Sequence, residues 1–432
     1  MRTKRKLRVH VVTMGCAKNL VDSEKLLAQL RLGGVELATD VRRADVAVIN
    51  TCGFIEAAKQ ESIDAILDHV RLKSRGRLKK VFAMGCLTER YLRELQMEIP
   101  EVDRFFGSHQ LDEVVRELGA EYRHDLVGER VLTTPPHTAY LKISEGCDHP
   151  CAFCAIPLMR GRHVSRPEGE ILDECARLAA GGVKELVVIG QDTTYYGLDI
   201  HGRRTLPDLL GRVADVPGIE WVRLMYAYPA KFPLELLDVI AGHPRVCKYL
   251  DMPVQHVASP VLTSMRRGIS SRALRGLIDT VRSRVPGIAL RTTLIVGYPA
   301  EGEKEFRELE EFVRETRFER LGVFPYSLED GTSAYPLSDP VPGEEKARRQ
   351  GRIMEIQQEI SSERNAGLIG TRARVLVDRR EKDLFVGRTE HDAPDIDNEV
   401  FLHAAGPVEI GTFREVDIVE AYEYDIVGNV RE

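Results

Sequence analysis

The sequence lacks the features that would place it in a membrane or in an oxidising compartment. It has no low-complexity tract and no apolar run near the roughly 20 residues that a membrane-spanning helix needs. No secretory hydrophobic region follows the basic start MRTKRK, because LRVHVVTMGC is short and leads into a helix. Eight cysteines spread over 432 residues are too few for a disulfide scaffold. We therefore expect a cytoplasmic protein without a membrane partner, whose thiols stay reduced and free to bind metal.

What is present predicts an α/β protein of three domains. Residues 1–132 alternate strand-length apolar runs with amphipathic helices, which indicates an open parallel α/β sheet covered on both faces. Two prolines in TTPPHT, at 133–138, break any helix and mark a linker. A second alternating series fills 133–366, and 367–432 is expected to form a third domain.

The second series predicts a partial (β/α)6 barrel. Six strand candidates alternate with helical patterns, namely TAYLKIS, ELVVIGQ, WVRLMYA, KYLDMPV, LRTTLIVG and LGVFPYS. In barrels of this kind the active residues lie at the carboxyl ends of the strands and in the loops that follow.

The last segment, 367–432, alternates apolar and polar residues between Gly, Pro and Asp turns, which predicts a small antiparallel β-barrel. From residue 366 onward it carries eight Lys and Arg against 15 Asp and Glu, a balance of −7, whereas the rest of the chain is at +1. A domain of that sign repels phosphate and attracts a basic partner.

The string EGCDHPCAFC places Cys147, Cys151 and Cys154 in a C-x3-C-x2-C spacing just after the first predicted barrel strand. Three thiolates on one tight loop suit an iron-sulfur cluster, because soft sulfur ligands select such clusters or zinc. Three cysteine ligands leave one of the four metal corners without a protein ligand. An open position of this kind favours a reactive site over a structural one. We expect His149, inside the loop, to face outward and not to complete the set.

A second trio ends three successive strands of the first domain, at Cys16, Cys52 and Cys86. Parallel strands deliver their carboxyl ends to one edge of the sheet, so the three side chains are expected to converge there. A single cysteine at such a place is more often a core residue, and we interpret Cys175 and Cys247 in that way. Recurrence at three equivalent positions favours a second three-thiolate metal site.

Polar residues near the presumed active face supply further candidates. By position, Gln191, Arg223 and Gln255 are predicted to face a cofactor, together with Arg166 after the cysteine loop. The arginines of IPLMRGRHVSRP either grip a carboxylate or phosphate in bidentate fashion or form a solvated basic loop, and both interpretations stand. In NLVDSE, helix capping accounts for the Asn and the Asp.

The C-x3-C-x2-C loop after the first strand of a partial barrel resembles the radical S-adenosylmethionine superfamily. The N-terminal cysteine domain and a TRAM-like C-terminal barrel resemble its methylthiotransferases over nearly the whole chain. The strings GCAKNLVDSE, CAFCAIPLMRGRHVSRP, LMYAYP, LDMPVQH, MRRG and GRTEHDAPDID are similar to the branch that modifies a small-subunit ribosomal protein. The tRNA branch more typically has Gln-Met-Asn after the first cysteine.

This resemblance implies β-methylthiolation of an aspartate in ribosomal protein S-twelve, with two molecules of S-adenosylmethionine per turnover. It implies that Cys147, Cys151 and Cys154 hold a 4Fe-4S cluster whose open iron binds the cofactor, which is cleaved to a radical after one-electron reduction. It also implies an auxiliary 4Fe-4S cluster on the other trio, an external electron donor and a monomeric enzyme. Such C–H chemistry lies beyond amino-acid side chains alone.

Two other functions remain open from the sequence. One is a tRNA adenosine methylthiotransferase, and the other is a non-catalytic iron-sulfur or zinc protein. A non-catalytic iron-sulfur or zinc protein requires closed metal sites with four protein ligands. Neither cysteine trio has an evident fourth ligand in the sequence.

Overall fold

Three sheet systems organise the chain in the computed structural model, which describes residues 6–124 and 128–431. The first is a parallel sheet, the second a larger sheet that curves as a partial barrel, and the third a closed barrel. The three predicted architectures of the fold are thereby confirmed.

The first sheet has five parallel strands in the order β2-β1-β3-β4-β5. Its strands are β1 Arg8–Thr13, β2 Glu36–Leu37, β3 Val46–Thr51, β4 Lys80–Gly85 and β5 Arg104–Phe106. Its helices are α1 Ala17–Leu32, α2 Glu56–Ser74, α3 Cys86–Arg90, α4 Leu92–Glu98 and α5 Leu111–Glu117. Val48 belongs to one apolar cluster with residues of α1 and α5, whereas Ile49 belongs to another with residues of α2. Both faces are therefore covered, which explains why β3 is apolar throughout.

The second sheet has six parallel strands in the order β13-β12-β11-β10-β9-β6. Its strands are β6 Thr138–Lys142, β9 Glu185–Ile189, β10 Trp221–Leu224, β11 Val246–Asp251, β12 Ala289–Val296 and β13 Arg320–Pro325, and β7 Ser144–Glu145 pairs with β8 Val164–Ser165 in a short antiparallel ribbon. Its helices are α6 Ile156–Arg160, α7 Glu168–Ala180, α8 Leu198–His201, α9 Leu206–Ala214, α10 Glu235–Gly242, α11 Ser259–Ser264, α12 Ser271–Arg284, α13 Glu303–Thr316 and α14 Gly343–Ala366. All six predicted strands are present, and the ribbon β7-β8 is an addition that the sequence pattern did not predict.

The third system is a closed barrel in the order β14-β15-β16-β18-β17. Its strands are β14 Arg372–Glu381, β15 Leu384–Thr389, β16 Val400–His403, β17 Phe413–Ala421 and β18 Ile426–Val430. The pair β16-β18 is parallel, unlike the antiparallel pairing expected throughout. Five is an odd number, so strand directions cannot alternate all the way round a closed ring, and one pair must be parallel.

A buried ion network joins the closed barrel to the larger sheet. Glu185 lies between Arg223, at 2.9 Å, and Arg388 of the closed barrel, at 2.7 Å. Asp392 of the closed barrel pairs with Arg320 of β13. Part of the negative charge of the last segment is therefore neutralised inside the molecule and is not presented to a partner.

Candidate active site

The N-terminal cysteines lie where their three strands end. Cys16 caps α1 after β1, Cys52 follows β3, and Cys86 opens α3 directly after β4. The loops touch closely: a Cβ placed on Gly15, whose φ is +86°, would lie 2.6 Å from Cβ and 2.8 Å from Sγ of Cys52. A Cβ on Gly53 would lie 2.9 Å from the Cys86 carbonyl oxygen. Glycine is therefore required here for the three cysteine loops to meet.

The chemical environment of this trio is graded from exposed to buried. Cys16 is exposed, whereas Cys52 and Cys86 are buried. Burial raises the pKa of the Cys52 thiol and raises that of Cys86 to about 12, although the charge of Arg160 opposes the second shift. Without a bound cation these two thiols stay protonated at neutral pH. A metal must therefore displace their protons on binding, as is general for thiolate ligands.

The trio Cys147, Cys151 and Cys154 occupies the loop between β7 and α6. Burial raises the pKa of Cys147 and of Cys154 to about 12, while Cys151 is half-buried. The backbone amides of His149 and Ile156 donate toward Cys147 and Cys154 and partly oppose the burial effect. These amides and three sulfurs form a donor set that suits an iron-sulfur cluster.

A cationic and aromatic layer covers Cys151. Arg267 Nη1 donates to its Sγ at 3.3 Å, and the Tyr228 hydroxyl lies 3.6 Å from the same sulfur. His149 stacks on Tyr228 with ring centroids 3.7 Å apart and bonds Asp192 at 2.6 Å through Nε2. The expectation that His149 faces outward was therefore wrong, although its ring is occupied by these two partners and not aimed at the cysteines.

No three His, Cys, Asp or Glu side chains within 6–124 and 128–431 lie close enough together to hold a single metal ion.

Arg160 connects the two cysteine sites. It ends α6, the helix that follows Cys154, and its side chain is 3% exposed. Nε donates to Cys86 Sγ at 3.1 Å, Nη1 donates to Asp22 at 2.7 Å, and Nη2 donates to Asn19. A residue of the helix after the cysteine loop thus reaches the sulfur of a cysteine that directly follows a strand of the first sheet.

Lys142 and Glu145 complete this buried charge cluster. Lys142 pairs with Asp22 and, at 2.7 Å, with Glu145, which itself lies 3.4 Å from Arg160. Burial alone would raise the pKa of Asp22, but the charges of Lys142 and Arg160 outweigh it and hold that pKa well below its usual range. The cluster therefore stays ionised at neutral pH.

The capping roles predicted within NLVDSE were wrong. Cys16, and neither Asn19 nor Asp22, is the N-cap of α1. Asn19 Nδ2 donates to the carbonyls of Met14, at 2.9 Å, and Thr51, at 3.0 Å, so it ties together the ends of β1 and β3. The buried residues Asn19, Asp22, Lys142 and Arg267 were missed as site residues, because their contacts join residues that are far apart in the sequence.

The four predicted cofactor residues lie in different surroundings. Gln191 donates to Glu145 at 2.9 Å, and the buried Oε1 atoms of Gln191 and Gln255 have no hydrogen-bond partner. Unpaired buried acceptors fit a polar cofactor that supplies donors, and Gln191 lies beside the cysteine loop through its contact with Glu145. Arg166 instead binds the Lys142 carbonyl and Glu174, and Arg223 is fully buried against the closed barrel. The structure thus does not bring Arg166 or Arg223 into contact with either trio.

In the part of the chain that the structure describes, no helix is long and apolar enough to cross a membrane.

Comparison with known proteins gives matches along nearly the whole chain. The family model described as uncharacterized protein family UPF0004 matches residues 8–107, the radical SAM superfamily model matches 141–313, and the TRAM domain model matches 369–430. Proteins named ribosomal protein uS12 methylthiotransferase RimO are 52% identical in Cytophaga hutchinsonii, over 98% of each chain, and 52% identical in Chloroherpeton thalassium, over 100% of each.

Solved structures share the fold at low sequence identity. The radical S-adenosylmethionine methyltransferase TsrM from Kitasatospora setae, with cobalamin and a 4Fe-4S cluster bound, superposes with a TM-score of 0.56 at 16% identity, over 76% of this chain and 77% of that chain. The cobalamin-dependent S-adenosylmethionine radical enzyme OxsB superposes with a TM-score of 0.52 at 13% identity, over 81% of this chain and 56% of that chain.

Proposed function

Because the chain belongs to the family of ribosomal protein uS12 methylthiotransferases named RimO, we propose that it adds a methylthio group to the β-carbon of an aspartate in that ribosomal protein. The reaction is radical chemistry supported by S-adenosylmethionine, as expected of a chain with a radical SAM domain. It consumes two molecules of the cofactor in each turnover, one for the radical and one for the methyl group.

The contact between Arg160 and Cys86 carries this proposal. Methylthiolation needs one site that opens a C–H bond and a second that delivers sulfur to the same carbon. Arg160 ends the helix after one cysteine trio and donates to a sulfur of the other, so one buried side chain links the two trios. A protein that used its trios independently would have no need for this arrangement.

Cys147, Cys151 and Cys154 would hold the first 4Fe-4S cluster. When bound, this cluster would supply the one-electron reduction that cleaves S-adenosylmethionine. The protein's part is to hold the cofactor: the unpaired Oε1 atoms of Gln191 and Gln255 can accept from its amino and hydroxyl groups.

Cys16, Cys52 and Cys86 would hold the second, sulfur-carrying cluster. Cys16 is the exposed member, so the sulfur would be accessible from its side of the trio. We assign the auxiliary cluster to a domain at 1–132, the radical chemistry to 133–366 and substrate binding to the barrel at 367–432. A monomeric cytoplasmic enzyme with an external electron donor completes the proposal.

The test compares two substrates. The reconstituted enzyme is incubated with reductant and S-adenosylmethionine, together with either the ribosomal protein or tRNA, and both are analysed by mass spectrometry. We expect a gain of one methylthio group on an aspartate of the protein. A gain on tRNA alone would contradict the proposal and favour the adenosine-modifying branch. The variant Cys151→Ala, which lacks a ligand of the first cluster, is the inactive control.

A further inference from the structure

Lys18 is a buried cation without an acidic partner. It lies in the first turn of α1, two residues after Cys16, and is 8% exposed. Its Nζ lies 3.2 Å from the centroid of the Tyr226 ring, just beyond the end of β10. Among the described residues, no carboxylate lies within the 4.0 Å of an ion pair with this ammonium group.

Other buried cations at the same junction are compensated. Lys142 pairs with Asp22 and Glu145, and Arg160 pairs with the same two carboxylates. A cation–π contact with one aromatic ring stabilises an ammonium group by less than its desolvation destabilises it. Lys18 therefore has an unmet requirement for an anion, unlike Lys142 and Arg160.

Tyr226, whose ring lies against the Lys18 ammonium group, is held in place by its backbone contacts. Tyr226 has a φ of +60°, an unusual conformation for a bulky residue. Its amide donates to Asp251 at 3.0 Å, and its carbonyl accepts from the Thr193 amide at 3.1 Å. Asp251 is in turn paired with Arg291 at 2.8 Å, so this carboxylate already has its own cation.

The side chains around the Lys18 ammonium group are apolar, so they favour a small anion that is attached to an apolar group. Ala17 and Leu20 of α1 pack with Tyr226 against an apolar cluster of the larger sheet that contains Met225. The ammonium group is a compact point charge that suits a single carboxylate. The first-turn amides of α1 add positive potential at the same place, since no side chain caps them.

We propose that Lys18 and Tyr226 form the subsite that binds the carboxylate of the target aspartate and makes the enzyme prefer aspartate to its amide. This inference rests on the proposed function and names the substrate group that the site reads. The position suits it, because Lys18 projects from the turn that follows the exposed ligand Cys16 into the apolar junction with the larger sheet.

The test is a double-mutant cycle on the holoenzyme. Wild-type enzyme and Lys18→Met are compared for binding and turnover of the ribosomal protein and of a version whose target aspartate is replaced by asparagine. We expect Lys18→Met to weaken binding of the aspartate substrate, and to raise its KM, by about 10- to 100-fold. Binding of the asparagine version should change little, so the preference for aspartate is lost. Lys18→Arg, which keeps the charge, should retain most of that preference.

The controls separate this subsite from general damage. Lys79→Met removes an exposed lysine of the same sheet and should behave as wild type. The iron content of Lys18→Met must equal that of the wild-type enzyme. If Lys18→Met loses iron, the polar variant Lys18→Gln takes its place in the same comparison. If the variants modify the protein with undiminished aspartate preference, the inference fails. If the wild-type enzyme binds the ribosomal protein but modifies tRNA instead, the proposed function fails, and the subsite fails with it.

Discussion

Arg160 Nε donates a 3.1 Å hydrogen bond to Cys86 Sγ across the junction of two sheets. The donor follows one cysteine trio in the chain, and the acceptor belongs to the other. A guanidinium group that touches a metal-bound sulfur withdraws negative charge from the cluster, and hydrogen bonds to sulfur are a recognised means of tuning its reduction potential.

Replacing Arg160 by Ala should therefore lower the reduction potential of the auxiliary cluster. The loss of a buried positive charge disfavours the more negative, reduced state, and we expect a shift on the order of 50 mV, close to a tenfold change for a one-electron couple. Redox titration followed by electron paramagnetic resonance, in a Cys151→Ala background that leaves only this cluster, measures it. Arg160→Lys should shift the potential less.

The matched control for Arg160 is Arg162→Ala. Arg162 lies two residues away with its side chain 91% exposed, and its ion pair with Asp148 is on the surface. An equal shift in both variants would show that general charge, and not the contact with Cys86, sets the potential.

Replacing Cys52 by Ala should remove about half of the bound iron and sulfide while leaving reductive cleavage of S-adenosylmethionine intact. The reason is that, in the proposed assignment, Cys52 would serve only the auxiliary cluster, whereas the radical chemistry would depend on the trio Cys147, Cys151 and Cys154. Iron and sulfide assays, with 5'-deoxyadenosine as the cleavage product, measure the two effects separately. Cys175→Ala, in the buried core of α7, is the control and should keep the full iron content. Full iron in Cys52→Ala would contradict the assignment.

The positions of the cysteines were predictable because they follow from local patterns. Each of Cys16, Cys52 and Cys86 comes at the end of a short apolar run, and parallel strands bring such ends to one edge. The strand count of the larger sheet was predictable for the same reason, since each strand is bounded by helical patterns.

The contacts between sheets could not be predicted in this way. Asp22 and Arg160 lie 138 residues apart, and no local pattern links them. Asn19 resembles a capping residue in sequence, yet its amide joins two strand ends. Arg223 was predicted to face a cofactor from its place in a strand, whereas it contacts Glu185 of the neighbouring strand and the closed barrel, which is built from residues after 370.

Glu185→Gln should loosen the closed barrel from the larger sheet. Glu185 is fully buried between Arg223 and Arg388, and removing one partner of a buried pair costs about 3 to 5 kcal/mol, because charges are left uncompensated. Hydrogen exchange of β14 and β15 in wild type and variant measures the change. The control is Glu220→Gln, which breaks a half-exposed pair with Arg374 of the same barrel. Breaking that half-exposed pair should cost less than about 1 kcal/mol of stability. Equal hydrogen exchange in the Glu185 and Glu220 variants would contradict the role assigned to Glu185.

The lowered pKa of Lys25 makes the stability of the folded protein depend on pH. Burial, with the positive charges of Arg166 and Lys142, lowers its pKa to about 8, although Glu174 and Asp22 oppose the shift. Between about pH 8 and pH 10 the unfolded chain binds more protons at this group than the folded protein, so its contribution to stability rises with pH. Lys25→Met should thus unfold at a higher temperature than wild type at pH 7, and the difference should shrink at pH 9. Melting temperatures at both pH values measure it, with the exposed Lys304→Met as control. A difference that stays constant with pH would show that packing, and not the desolvated charge, accounts for the gain.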